Sequence, residues 1–361
     1  MMAMPLTLSR YFAMRFARAI AGVFLTAFAL VFMLDFIELV RRAGDAPGAS
    51  TALLAMLSLY RTPSVAEQIL PFAVLFGSMV AFLALSAKLE LVVTRAAGIS
   101  VWQFTLPAVL VALVIGLAGT MLYNPAAALL KSRADAIEAK AVGRTAGVGK
   151  DMWIRQRSVD GQAIIRARGA GDGGAVLSGV TFFGFEPSGA MMERIEADRA
   201  ELVDSHWQLS NARVLRPGHE PESFGTYLVA TNLTADQLRQ SFVPPQSVPF
   251  WRLDSVIERT ELAGLDATRY RLHRQSLIAR PMLLIAMVFV AASVSLRFFR
   301  FGGIARAVLG GVAAGFVLYV ATQLVENLGA TGVVGPGVAA WLPAVVGSLL
   351  GVLALLHQED G

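Results

Sequence analysis

Apolar residues along this chain gather into six runs of membrane length, three on each side of a long polar stretch. The runs read roughly 16–40, 64–86 and 101–123, then 276–296, 304–327 and 334–356. A helix needs about 20 mostly apolar residues to cross a bilayer, and each run comes close to that length. The pattern predicts an α-helical polytopic membrane protein with six transmembrane helices. Between the third and fourth runs the texture changes. Segments 151–156, 163–168, 177–185, 191–197, 200–215 and 223–230 are short, rich in β-branched and aromatic residues, and separated by Gly, Pro, Asp or Ser. They predict an inserted antiparallel β domain of roughly six to eight strands.

The chain therefore reads as three parts: helices one to three over 1–123, the insert over 124–275, and helices four to six over 276–361. Residues 125–142 carry a helical pattern that prolongs the third span, 231–250 hold Pro244, Pro245 and Pro249 and read as an extended linker, and 251–275 are helical again. The first span ends in Asp35, Glu38, Arg41 and Arg42 and breaks at Gly44, Pro47 and Gly48. Residues 51–60 are apolar but too short to cross, which leaves an interfacial helix or an extension of the second span. Pro71 is placed to kink that span.

Between spans two and three, about 87–100, Leu89, Val92, Val93 and Ala96 fall at i, i+3, i+4 and i+7, with Lys88, Glu90, Thr94 and Arg95 on the other side. A short amphipathic helix is predicted, stopped at Gly98. Periodicity alone fits both a hairpin resting on lipid headgroups and a helix that docks a partner.

Charge adds topology. The net charge of +5 is concentrated beside the spans, since the insert holds 19 Lys and Arg against 18 Asp and Glu, and a nucleic-acid partner is not indicated. Over the short loops, Arg10, Arg15, Arg18, Lys88, Arg95, Arg297, Arg300 and Arg306 make eight basic residues on one side, against Arg41, Arg42 and Arg61 on the other. The positive-inside rule then puts both termini in the cytoplasm and the insert outside. The first run continues to Val40 without an obvious cleavage site and reads as a retained span. With no cysteine, disulfides and thiolate metal sites are excluded.

No motif for chemistry stands up. Residues 143–151, GRTAGVGKD, fail as a phosphate loop because Arg144 replaces the first glycine and Asp151 the magnesium-binding Ser or Thr. His206, His219, His273 and His357 show no ligand spacing, and no catalytic triad or metalloprotease motif appears. The chain is expected to be no enzyme and to bind no metal or cofactor. The ionisable residues in and beside the spans are the stronger candidates, because a charge in hydrocarbon is costly without a cavity or partner. Asp35, Glu38, Glu67, Arg280 and Glu326, with Arg41, Arg42 and Arg61, all project to the outer ends of their helices. They read as a charged rim around an opening or, singly, as headgroup anchors. Gly310, Gly311, Ala314 and Gly315 in the fifth span allow close helix contact, at a subunit interface or within the chain.

The layout resembles the LptF/LptG permease family of the lipopolysaccharide export ABC transporter over nearly the whole chain. The likeness rests on three spans, a β insert and three spans, and on RRAG at 41–44, ELVVTRAAGIS at 90–100, RYRLHRQSLIARP at 269–281 and GFVLYVATQLVENLG at 315–329. Of the two branches, the strings look more like LptG. The resemblance implies a periplasmic β-jellyroll insert, a sister permease LptF, a cytoplasmic LptB ATPase dimer that holds ATP and magnesium, and handover of lipopolysaccharide to LptC and a periplasmic bridge. It implies that Glu90, with Lys88 and Arg95, couples to the ATPase, and that Arg41 and Arg42 face lipid A phosphates. At Asp35 some relatives have a lysine that reaches the substrate, and an acid cannot make that contact. Two rival readings are a non-transporting scaffold or receptor and the permease of another envelope-lipid or lipoprotein system. The latter usually places its large outer domain after the first span, whereas here three spans precede it.

Overall fold

The six long apolar runs are helices, which close their backbone hydrogen bonds within each segment as hydrocarbon demands. The computed structural model describes residues 5–43, 50–141, 152–158, 161–171, 174–186, 190–203, 206–231, 243–262, 265–300 and 304–359. The breakers at 44–48, the failed phosphate loop at 143–151 and most of the proline-containing linker lie outside the described residues. The helices are α1 (Leu6–Ala43), α2 (Thr51–Ala87), α3 (Glu90–Ala96), α4 (Val101–Ala118), α5 (Asn124–Ala141), α6 (Leu253–Leu262), α7 (Thr268–Arg300), α8 (Ile304–Ala330) and α9 (Pro336–Glu359). α4 and α5 form one continuous span through a π-helical turn, Gly119–Tyr123, so six stretches are long and apolar enough to cross a membrane. Residues 51–60 belong to α2, which starts on the Ser50 side chain, and Pro63 and Pro71 lie within that one helix.

Two compact units are present. One comprises 1–134, 249–251 and 271–361; the other comprises 135–248 and 252–270. The helical unit is built around aromatic and small residues one turn apart. Phe12, Phe16 and Ile20 of α1 meet Val74, Phe82 and Leu85 of α2, Phe104, Ala108 and Ala112 of α4, and Leu284, Val288 and Ala291 of α7. The Phe16 and Phe82 rings meet edge to face at 4.7 Å. Close crossings occur at glycines. A Cβ on Gly77 would come within 2.5 Å of the Ile20 Cα, and one on Gly116 within 2.5 Å of the Pro281 Cα. Gly311 and Gly315 of α8 lie against Met79 and Leu75 of α2, so this glycine stripe packs within the chain. α1 and α8 are nevertheless the least buried of the six spans.

The second unit holds a six-stranded antiparallel sheet: β1 (Met152–Ser158), β2 (Gly161–Gly171), β3 (Val176–Phe185), β4 (Met191–Val203), β5 (His206–Leu215) and β6 (Glu222–Ala230). The inserted all-β domain is thus present, and among the described residues its strands pair in chain order as a meander, without the crossing connections of a jellyroll. β4 runs through the break expected near 198–199 to Val203, and β5 begins at His206. One face is a filled core: Ile165, Leu177, Phe182, Ile195, Trp207 and Leu209 are at most 2% exposed. The helical pattern of 251–275 divides into α6 and the first turns of α7, and Leu265 between them packs onto this core.

The glycine crossings give a direct test. Gly77→Ala and Gly116→Ala should each lower the thermal midpoint in detergent, by overpacking worth about 1–3 kcal/mol. Gly22→Ala, whose Cβ would meet nothing within 4 Å, should be neutral or slightly stabilising.

Candidate functional site

The charged residues singled out from the sequence fall into separate groups, each fastened differently. On the last turns of α1, both Arg41 (2.7 Å) and Arg42 (2.6 Å) pair with Glu38, leaving the arginine side chains 75% and 66% exposed. The spacing of three and four residues puts all three on one helix face. Both guanidinium groups stay largely exposed to solvent beside the carboxylate they share. One turn earlier, Asp35 lies 3.9 Å from Arg61 of α2. Asp35 thus has a cation of its own chain beside it.

Glu67, Arg280 and Glu326 lie deeper. Arg280 donates to the Glu67 carboxylate, and the two side chains are 14% and 8% exposed. Asn124 donates to both Glu67 oxygens at 2.9 and 3.2 Å, and its own Oδ1 accepts from the Phe250 amide at 3.0 Å. Glu326 accepts from Ser276 at 2.9 Å. Glu67, Arg280, Ser276 and Glu326 border one small cavity of about 120 Å³, together with Gln68 and Gln323. The opposite side of Glu67 borders an apolar groove of about 570 Å³ between α1, α2 and the third span, lined by residues such as Ile20, Phe24, Leu70 and Ile115.

The π turn makes this meeting possible. Its wider winding, with the Asn124 amide donating to the Gly119 carbonyl, leaves groups that reach sideways. Thr120 donates to the Leu277 carbonyl at 2.9 Å, Tyr123 to the Pro63 carbonyl at 3.0 Å, and Trp251 to the Met121 carbonyl at 3.2 Å. The sequence reading missed Asn124 and Ser276. Asn124 followed by Pro125 at the end of an apolar run was the available signal, but it read as the edge of a span.

The connection between α2 and α4 forms the helix expected there, with a different polar side. Leu89 adopts a left-handed backbone, φ 61°, which costs about 1–2 kcal/mol for a side-chain-bearing residue and turns the chain sharply into α3. Gly98 (φ 80°) ends α3, and a capping box between Ser100 and Gln103 starts α4. Leu91 and Thr94 are the buried residues, so Thr94 stands on the inner side, while Leu89, Val92 and Val93 are 56%, 46% and 66% exposed. Lys88 caps α2 and is exposed, as is Arg95. Glu90 is tied to α1, accepting from Arg15 and Tyr11 at 3.3 Å each. Arg15, read from the sequence only as a topology charge, therefore fastens α3 to the bundle, and its guanidinium lies 5.1 Å from the Tyr11 ring centroid.

Removing one member of the deep pair should cost more than removing both. Glu67→Leu or Arg280→Leu alone leaves a buried uncompensated charge and should destabilise by about 3–5 kcal/mol. The double variant should recover most of that loss in a thermal-unfolding cycle; additive losses would show that the pair is not coupled.

A family model described as lipopolysaccharide export system permease LptF/LptG matches residues 10–357. The permease protein LptG of Escherichia coli K12 is 25% identical over 361 aligned residues, covering 93% of this chain and 95% of the relative. That of Haemophilus influenzae is 24% identical over 372, covering 97% of each. Both relatives carry the name of the branch that the local strings resemble more. The chain belongs to the lipopolysaccharide export system permease LptF/LptG family.

Proposed function

We propose that this chain is one of two permease subunits of an ABC transporter that extracts lipopolysaccharide from the outer leaflet of the inner membrane and passes it to a periplasmic bridge. Family membership supports the cargo, and the observation that carries the mechanism is α3. Leu89, Val92 and Val93 lie on its outer side while Leu91 anchors it to the core. A short helix that exposes apolar residues between basic ones suits a protein groove. Lipid extraction is uphill by roughly 0.8 kcal/mol for each CH₂ removed from the bilayer, and an energy source is required. In this reading a separate cytoplasmic ATPase, with its own ATP and magnesium, grips α3.

The division of labour follows. Lys88, Glu90 and Arg95 lie at the coupling helix, with Glu90 acting through Arg15 to pass movement of α3 to α1. Arg41 and Arg42, both largely exposed at the end of α1, supply cationic groups to phosphates of lipid A. α1 and α8, the spans with least cover from their own chain, are the faces left for a sister permease and for lipid. Both termini are cytoplasmic and the insert is periplasmic in this reading, which the loop charges support.

Three measurements bear on this. Val93→Asp should leave the protein folded but reduce ATPase co-purification at least about tenfold, since a charge replaces an apolar contact; unchanged co-purification would remove α3 from the docking surface. Arg41→Glu with Arg42→Glu should reduce the lipopolysaccharide that purifies with the complex, identified by mass spectrometry, and equal recovery would remove that pair from the substrate site. Single cysteines introduced into this cysteine-free chain at Ala97 and Ser210 should label from opposite sides of the membrane.

A further inference from the structure

The closed interior of the β sheet directs attention to its other face. Along one cross-strand row, Trp153 of β1 pairs in register with Arg166 of β2, then Thr181 of β3, Glu196 of β4 and Arg213 of β5. The neighbouring residues of the inner row, Ile165, Phe182, Ile195 and Val214, are all buried, so this row lies on the opposite, outer face. The Arg166 guanidinium sits 5.7 Å from the Trp153 ring centroid. Trp153 in turn stacks with Phe183, centroids 6.3 Å apart and planes at 15°. Arg194 lies 5.7 Å from the Phe183 ring and pairs with Glu196.

This arrangement goes beyond sheet stabilisation. Trp153 remains 59% exposed, so most of a large apolar ring is not used by the fold. Among the described residues of this row, Arg166 and Arg213 flank Glu196 on the neighbouring strands, and Glu196 pairs with Arg194. Flat aromatic rings stack on the C–H face of a pyranose, and guanidinium groups fork onto phosphate oxygens. A bare phosphate would have no use for the rings, and an uncharged glycan none for the arginines.

We infer that the outer face of the sheet, centred on Trp153, Arg166, Phe183 and Arg194, binds a phosphorylated saccharide. Resting on the export reading above, that saccharide is the hydrophilic head of the lipid cargo. With the interior occupied by Trp207 and Phe182, the head group is guided along the outside of the sheet.

The test separates this surface from the export function. Deacylated, phosphorylated lipopolysaccharide oligosaccharide should bind the purified full-length chain, and Trp153→Ala with Arg166→Gln should weaken binding about tenfold, the loss expected for one charge-assisted contact. The thermal midpoint should be unchanged. The same oligosaccharide after phosphatase treatment should bind wild type as weakly as the intact form binds the double variant. In the complex with ATPase and sister permease, a photo-crosslinking residue at Thr181 should capture saccharide-bearing lipid. Equal binding by variant and wild type, indifference to phosphatase, or a crosslink to a protein segment instead of saccharide would each overturn the inference. Saccharide binding by a complex that neither holds nor moves lipopolysaccharide would defeat the export reading while leaving this surface standing. Export with no saccharide ever captured at Thr181 would do the reverse.

Discussion

A charge inside hydrocarbon has no water to turn to, and this constraint organises the helical unit. Glu67 and Arg280 satisfy each other, Asn124 fills the remaining acceptor positions on Glu67, and Ser276 meets Glu326. Each of these contacts joins a different pair of helices, so the polar groups fix which faces of α2, α7, α8 and the third span turn toward one another. Apolar packing alone is less selective in lipid, where the surrounding chains are as apolar as the side chains. The glycines then set how close those faces come. Backbone against backbone at Gly77 and Ile20, and at Gly116 and Pro281, leaves no room for side chains between.

The number, order and type of elements were legible from periodicity and length, because a membrane span and a half-buried strand each impose a strict repeat. All six described strands lie where β-branched and aromatic runs were read. What periodicity could not give was pairing. Glu38 and Glu67 looked alike as carboxylates at the ends of apolar runs, yet one is held by arginines on its own helix and the other by groups 57 and 213 residues away. The π turn was invisible because it adds one residue to a winding without changing composition. Thr94 was assigned to the polar side of α3 from spacing, but the left-handed Leu89 sets the helix at an angle that spacing does not encode. The small-residue stripe of α8 admitted two partners, and the packing of Gly311 and Gly315 against Met79 and Leu75 selects α2.

Asn124 stands where these constraints meet. It follows the π turn, binds Glu67 inside the helical unit, and accepts from Phe250 where the chain returns to that unit. Its amide therefore reports on three segments far apart in sequence. A shift of α2 relative to the third span changes the Glu67 contact first, since the carboxylate is shared with Arg280 and cannot follow both partners. At the other end of α2, the chain turns through Leu89 into α3, which Glu90 fastens to α1 through Arg15. α2 thus runs from the proposed coupling helix to the buried ion pair as one helix, its hydrogen-bond ladder interrupted at Pro71, whose nitrogen has no proton to donate. A helix of 37 residues is about 55 Å long at 1.5 Å per residue, and a small tilt imposed at one end becomes a larger displacement at the other. In the proposed transporter, closure of an ATPase around α3 would need no separate linkage to reach the Glu67 cluster, because α2 is that linkage. The interruption of the third span by the π turn then has a physical role: a wider turn yields more readily than an α-helical one, and it sits where α2 would press.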